Sequence, residues 1–304
     1  MDYQELIDEV YDEVSSLKLK GKVADYIPQL ADIDPNLFGL ALVDLEGNVY
    51  GAGDYRKEFS IQSISKVHTL TMVMHVFKSK LWHRVNVEPS GNPFNSVAQL
   101  EYEKGIPRNP FINAGALVIT DALVSKFDNP EKDIINFINE ITGHKSVKVN
   151  KLVHQSEIDH SDRNMALAHF LKAHDNFNNK IDRVLDVYTY ACSLEMNCID
   201  LARSFNFFAN DGYCIFAGRK ILSQSHNQRI NSLMLTCGFY DESGEFAFRV
   251  GLPGKSGVGG GVAAVMPGKF SVAAFSPQLN GKGNSLKAMK ALEILTTKLK
   301  FSLF

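Results

Sequence analysis

The chain has 304 residues, 45% of them hydrophobic and 22% charged, the balance of an ordinary soluble globular protein with enough length for a sizeable core. A formal net charge of −2 supplies no global field to draw nucleic acid or an anionic membrane, and no stretch approaches the roughly 18 apolar residues of a membrane span. The four cysteines, Cys192, Cys198, Cys214 and Cys237, show no C-x-x-C pair or framework-like spacing and are expected to be reduced thiols.

The N-terminus carries Asp2, Glu5, Asp8, Glu9, Asp12 and Glu13 where a signal peptide needs basic residues and then an apolar run, so a cytoplasmic location is expected. Leu6, Ile7, Val10, Val14 and Leu17 recur at helical spacing and predict an amphipathic helix over 2–18. Phe38 to Val43 is a nearly unbroken apolar run. Turn residues at 44–48 then separate it from Val49–Ala52, which predicts a hairpin buried on both faces. From Ser63 the period changes to a helical stripe of Val67, Leu70, Met74, Phe77 and Leu81.

Residues 110–210 read mostly as helices. Strands are expected at Glu245–Leu252, Gly259–Met266 and Phe270–Phe275, and a last helix at Ser285–Leu299. The basic segment from Lys282 to Lys300 reads as a solvated helix face. Together these predict an α+β fold in one catalytic domain. An antiparallel sheet drawn from both chain ends (about 20–65 and 215–304) is flanked by helices, with a helical lobe (about 66–214) inserted between.

Two short motifs lie far apart: Ser63-Ile64-Ser65-Lys66 (S-x-x-K) and Lys255-Ser256-Gly257 (K-S-G). S-x-x-K alone is weak, since Ser15-Ser16-Leu17-Lys18 repeats it on an acidic helix with nothing catalytic around it. Ser63 stands above that copy because it follows an apolar β region, opens an apolar helix and is accompanied by K-S-G before a glycine-rich strand. The pair resembles the first and last signatures of the active-site serine hydrolases related to β-lactamases. On a helical turn, residues three apart share a face, and the helix start offers N–H groups and a positive dipole end suited to an oxyanion. A serine hydroxyl needs a base, and a lysine can serve only when neutral, a state favoured by burial and by a second cation. Lys66 is the expected base and Lys255 its electrostatic partner.

Other patterns carry less. Gly257-Val258-Gly259-Gly260-Gly261 lacks dinucleotide spacing and precedes a strand, so its glycines fit a close backbone approach. No histidine spacing suggests a metal site; His68 and His75 read as core or surface residues, and Cys237 as a buried thiol.

Further ordered motifs add specificity. They include Gly21–Pro28, Val87–Ser96, Asn109–Ala116, Glu157 with Arg163-Asn164, Leu185–Tyr188, Cys237–Asp241 and Gly251–Val258. With Phe59–Lys66, this set resembles the serine-dependent glutaminase family over about residues 20–300. The resemblance implies a β-lactamase-like fold and hydrolysis of L-glutamine to glutamate and ammonia through a serine acyl-enzyme. It implies Ser63 as nucleophile, Lys66 as base and the backbone N–H groups of Ser63 and Val258 as oxyanion hole. Tyr240 would lie near the reacting carboxamide, with Lys255, Ser256 and Gly257 in support. Tyr26, Asn113, Glu157, Asn164 and Tyr188 would hold the amino-acid end.

Those residue types suit the ligand: one carboxylate pairs with an ammonium, while amides and phenols donate to a carboxylate without burying another full charge. The resemblance further implies a homo-oligomer, dimer or tetramer, with no cofactor, metal, nucleic acid or membrane. A penicillin-recognising hydrolase and a catalytically silent amino-acid-binding protein remain as alternatives.

Overall fold

Side-chain alternation along the apolar strands sets the layers. In the computed structural model, which describes residues 2–145, 147–300 and 303, five antiparallel strands pair in the order Val49–Gly53, Gly39–Asp44, Phe270–Phe275, Gly261–Met266, Gly254–Ser256. The centre is in full register, from Phe270 opposite Asp44 to Phe275 opposite Gly39. Leu40, Leu42, Val262, Ala264, Val272 and Ala274 join one core on the first face; Ala41, Val43, Ala263, Val265, Ala273 and Phe275 join a larger one on the second. Both faces of the three central strands are covered, which is why these read as continuous apolar runs; the edge strand Val49–Gly53, expected to be buried on both faces, is only partly buried because it has a neighbour on one side alone.

The helices Tyr3–Ser16 and Leu286–Leu299 cover the first face through Leu6, Ile7, Val10, Val14, Leu292 and Leu295. Asp2 caps the first of these helices and Ser285 the second, each accepting from backbone N–H groups that have no partner within the helix. The helix Cys198–Ala209 lies on the second face, and beyond it stand Asn113–Lys126, Pro130–Thr142, Lys151–Asp159, Asp162–Ala173 and Ile181–Cys192. Asn113–Leu123 and Ser65–Met74 are buried on every side, the mark of central helices rather than amphipathic surface ones. No described helix is long and apolar enough to cross a membrane.

One expected strand is a helix. Ser243–Arg249 is helical where Glu245–Leu252 was expected to be extended. Phe246 and Val250, four apart, are buried while Phe248 is 90% exposed, so the apparent alternation of apolar residues was really helical spacing. The short strand Gly254–Ser256 forms instead and places K-S-G on the edge of the sheet. The S-x-x-K helix also starts later than expected, with a 3₁₀ turn Gln62–Ile64 before Ser65–Phe77; Leu81 lies in a second 3₁₀ segment, Lys78–His83.

Two minor sheets position the site. Phe59–Ser60 pairs with Leu194–Met196, which also pairs with Lys148–Val149. Lys22–Val23 pairs with Gln278–Leu279, bringing the segment that leads to Tyr26 beside the loop after Leu279.

Candidate active site

Ser63 is reached through a constrained corner. Ile61 N–H donates to the Leu194 carbonyl at 2.9 Å, and Gln62 adopts a left-handed backbone at φ 50°, a cost accepted mainly at functional positions. The following 3₁₀ turn carries Ser63 into a cavity of about 630 Å³ lined also by Tyr26, Asn113, Glu157, Asn164, Tyr188 and Val258. The structure thus brings Ser63 and six other expected site residues to one cavity, each from a different segment of the chain.

Glycines bring the K-S-G end alongside. A Cβ on Gly257 would stand 2.5 Å from the Ile61 carbonyl oxygen, and one on Gly259 would stand 2.4 Å from that of Ser60. The 257–259 backbone therefore runs against the backbone that delivers Ser63, as the expected close approach requires. Neither the Ser63 nor the Val258 N–H is taken up by a carbonyl among the described residues. Ser256, fully buried, donates its N–H to the Gly238 carbonyl at 3.3 Å. Gly238 is glycine for the same kind of reason, since a Cβ there would meet the Gly254 carbonyl oxygen at 1.8 Å.

The lysines sit deep. Lys66 Nζ donates to Asn113 Oδ1 at 2.7 Å and to the Phe111 carbonyl at 3.2 Å. Burial lowers its pKa to about 8, with Cys192 and Glu157 opposing the fall. Lys255 Nζ donates to its neighbour's carbonyl, Ser256 O, at 2.7 Å and lies 4.0 Å from the centre of the Tyr240 ring. Burial, then the Lys66 charge, hold Lys255 well below the ordinary lysine value. Burial is the first cause of the depression of both amines, and the repulsion between them, which is mutual, works in the same direction.

Tyr240 completes this group. Its φ is 57°, its ring is buried against Phe94 with centroids 4.7 Å apart, and burial pushes its phenol up while the nearby Ser63 hydroxyl pulls it down. The Tyr240 hydroxyl has no hydrogen-bond partner of good geometry within the described protein, and the group nearest it in the site is the Ser63 hydroxyl.

At the other end, Tyr26 donates to Glu157 Oε1 at 2.7 Å. The Tyr26 ring is 43% exposed, but its hydroxyl end is enclosed against that carboxylate and the phenol is raised well above its usual range by burial, then by the Glu157 charge. Burial also raises Glu157, against hydrogen bonds from Tyr26 and Gln62. Asn113 opens its helix, donates Nδ2 to Asn164 Oδ1 at 2.9 Å and accepts from Tyr188 at 3.5 Å. The Asn113 Oδ1 atom therefore joins the base lysine to the tyrosine–asparagine end of the cavity.

Three further contributors take roles that only the three-dimensional structure shows. Asn109 accepts from the Phe111 and Ile112 N–H groups at 3.0 and 3.1 Å, fixing the turn that aims Asn113 and Phe111 at Lys66. Gln62 lines the cavity beside its neighbour, and the buried Cys192 thiol, raised to about 11 by burial, lies behind Tyr188 and Ser65. Asn109 and Gln62 had a sequence signal, their places in the Asn109–Ala116 and Phe59–Lys66 motifs, whereas Cys192 had none. His68 belongs to the core, its ring paired with Ser204 Oγ at 3.1 Å.

Comparison with known proteins places the whole chain. The glutaminase family model matches residues 21–304. A glutaminase of Saccharophagus degradans is 50% identical over 304 residues, covering 100% of this chain and 99% of its own. Among solved structures, a probable glutaminase, ybaS, superposes with a TM-score of 0.94 at 36% identity over 99% of this chain and 97% of that one. Mglu in its glutamate form gives 0.92 at 30% identity over 99% of this chain and 69% of that one. With their β-lactamase-like fold and full-length similarity, the chain belongs to the glutaminase family, whose members hydrolyse glutamine to glutamate.

Proposed function

We propose that this glutaminase works through an acyl-enzyme on Ser63, with Lys66 as general base. The observation that carries the reading is the Lys66 amine: its pKa is about 8, and two acceptors, Asn113 Oδ1 and Phe111 O, take two N–H bonds. A neutral amine has only those two, so its lone pair is left for the Ser63 proton. Ser63 Oγ bonds to the side-chain carboxamide carbon as its proton passes to Lys66. The developing oxyanion takes the free N–H groups of Ser63 and Val258. The C–N bond then breaks, and ammonia leaves with a proton relayed from Lys66 through the unsatisfied Tyr240 hydroxyl. In the second half, water gives a proton to Lys66, attacks the ester carbon and releases glutamate, restoring the Ser63 hydroxyl.

Glu157, with Tyr26, faces the substrate ammonium; Asn113, Asn164 and Tyr188 face its carboxylate. Lys255, Ser256 and Gly257 hold the edge strand in place, in a single catalytic unit. Cytoplasmic location and a homodimer or homotetramer belong to the same reading, supported by family resemblance; sedimentation velocity reads the assembly.

The test is an ammonia and glutamate assay across L-glutamine, D-glutamine, L-asparagine and glutathione. L-Glutamine is expected to be hydrolysed and Ser63→Ala to be inert. No ammonia from L-glutamine, or full activity in Ser63→Ala, would sink the mechanism.

A further inference from the structure

Glu242 is a buried carboxylate without a cation. It is 7% exposed, and no described lysine, arginine or histidine forms an ion pair with it. Amides satisfy it instead. Asn280 Nδ2 donates to Oε1 and Oε2, both at 2.9 Å, and Asn284 Nδ2 donates to Oε2 at 2.5 Å. A carboxyl group buried away from any cation is a costlier choice than an apolar side chain of the same size, so its place in the fold bears on what it does.

That place joins two parts of the site. Glu242 ends the short 3₁₀ turn that begins at Tyr240, and its neighbour Ser243 donates to the Tyr240 carbonyl at 2.9 Å while accepting from Phe239 N–H at 3.0 Å. The left-handed Tyr240 backbone is thus held on its C-terminal side by this turn. The two asparagines bracket the loop Asn280–Gly283, which lines the cavity mouth. Asn280 Oδ1 accepts from Lys282 and Asn284 N–H at 2.9 and 3.1 Å, closing the loop on itself. A Cβ on Gly283 would lie 3.6 Å from Val258 Cγ1, so the loop backs Val258.

We infer that Glu242 is a positioning residue for the reaction: its carboxylate ties the Tyr240 turn to the Asn280–Gly283 loop, and so fixes the phenol and the Val258 N–H relative to each other. The inference rests on the reading of Tyr240 and Val258 as groups that act on the carboxamide. It makes a demand that mere stability does not. Both groups act on the reacting centre, so loosening the tie should lower kcat and leave KM nearly unchanged.

The hydrogen-bond pattern supplies its own rescue. Glu242→Gln turns an acceptor into a donor facing the Asn280 amide, and Asn280→Asp sets a second carboxylate against Glu242. In the double variant the new side-chain amide at position 242 donates to the new carboxylate at position 280, whose other oxygen still accepts from the loop. We expect each single variant, in the full-length protein, to lose about tenfold or more in kcat on L-glutamine, and Glu242→Gln/Asn280→Asp to recover most of it. Thermal midpoints are measured alongside. Singles with wild-type kcat, or a folded double variant as slow as the singles, would overturn the role of Glu242. Tyr240→Phe in the same assay separates the two ideas. If that variant is slow and the rescue fails, only the Glu242 proposal falls; if it keeps full kcat, the reading of Tyr240 falls with it.

Discussion

Lys66 is protonated below about pH 8 and a proton acceptor above it, so the expected kcat/KM on glutamine rises with pH through that value. A flat pH–rate profile between pH 6 and 9 would contradict a lysine base. The same shift has a stability consequence. The folded-state pKa lies below the unfolded lysine value, so the unfolded chain binds the extra proton between about pH 8 and 10.5, and the penalty of burying Lys66 is relieved as pH climbs through that window. Lys66→Met lacks this penalty; its stability advantage over wild type in urea unfolding should shrink across the window at about 1.4 kcal/mol per pH unit. At the other end of the cavity, Tyr26→Phe removes the donor to Glu157 and should raise KM about tenfold with little change in kcat. The identities of these residues were legible in the ordered motifs. What was not legible is the Asn113 Oδ1 junction between Lys66 and Tyr188, because residues 66, 113 and 188 meet only through packing.

The glycine-rich element shows how backbone proximity becomes a catalytic requirement. Gly257→Ala must move either the edge strand or the Ile61–Gln62 corner, because the new methyl would collide with a carbonyl oxygen. A loss of at least about tenfold in kcat is expected even where the variant stays folded; steady-state kinetics beside a melting curve check this, and wild-type kcat would deny the close approach its function. Close approach was legible from composition, since five residues hold four glycines before a strand. The segment 245–252 was not. Its Phe-Ala-Phe-Arg-Val pattern fits a strand by period two, but Phe246 and Val250 stack on one helical face and Phe248 points outward. A short window satisfies both periods, and only tertiary burial selects one.

Across the molecule, the terminal helices pack side by side on the sheet face, joined by buried Leu292 and Leu295 and, at the surface, by Lys298 to Glu9 at 3.0 Å. Leu292→Ala should cost about 2–5 kcal/mol in urea unfolding, whereas Lys298→Ala, which removes only a solvent-screened surface pair, should leave the unfolding midpoint nearly unchanged. A reversed order would mean the ends are held by charge rather than by core. The two-faced burial of the sheet was legible in its unbroken apolar strands; the sheet's strand order was not, because sequence pattern gives faces but not neighbours. The left-handed backbones of Gln62 and Tyr240, one preceding the nucleophile and one carrying the unsatisfied phenol, lead to a final expectation. Glycine at either position would relieve the strained conformation, and such relief commonly comes at the expense of turnover. Selection for heat tolerance alone should therefore drift toward relaxed corners and yield a sturdier, slower enzyme, whereas selection on ammonia output should keep both side chains where they are.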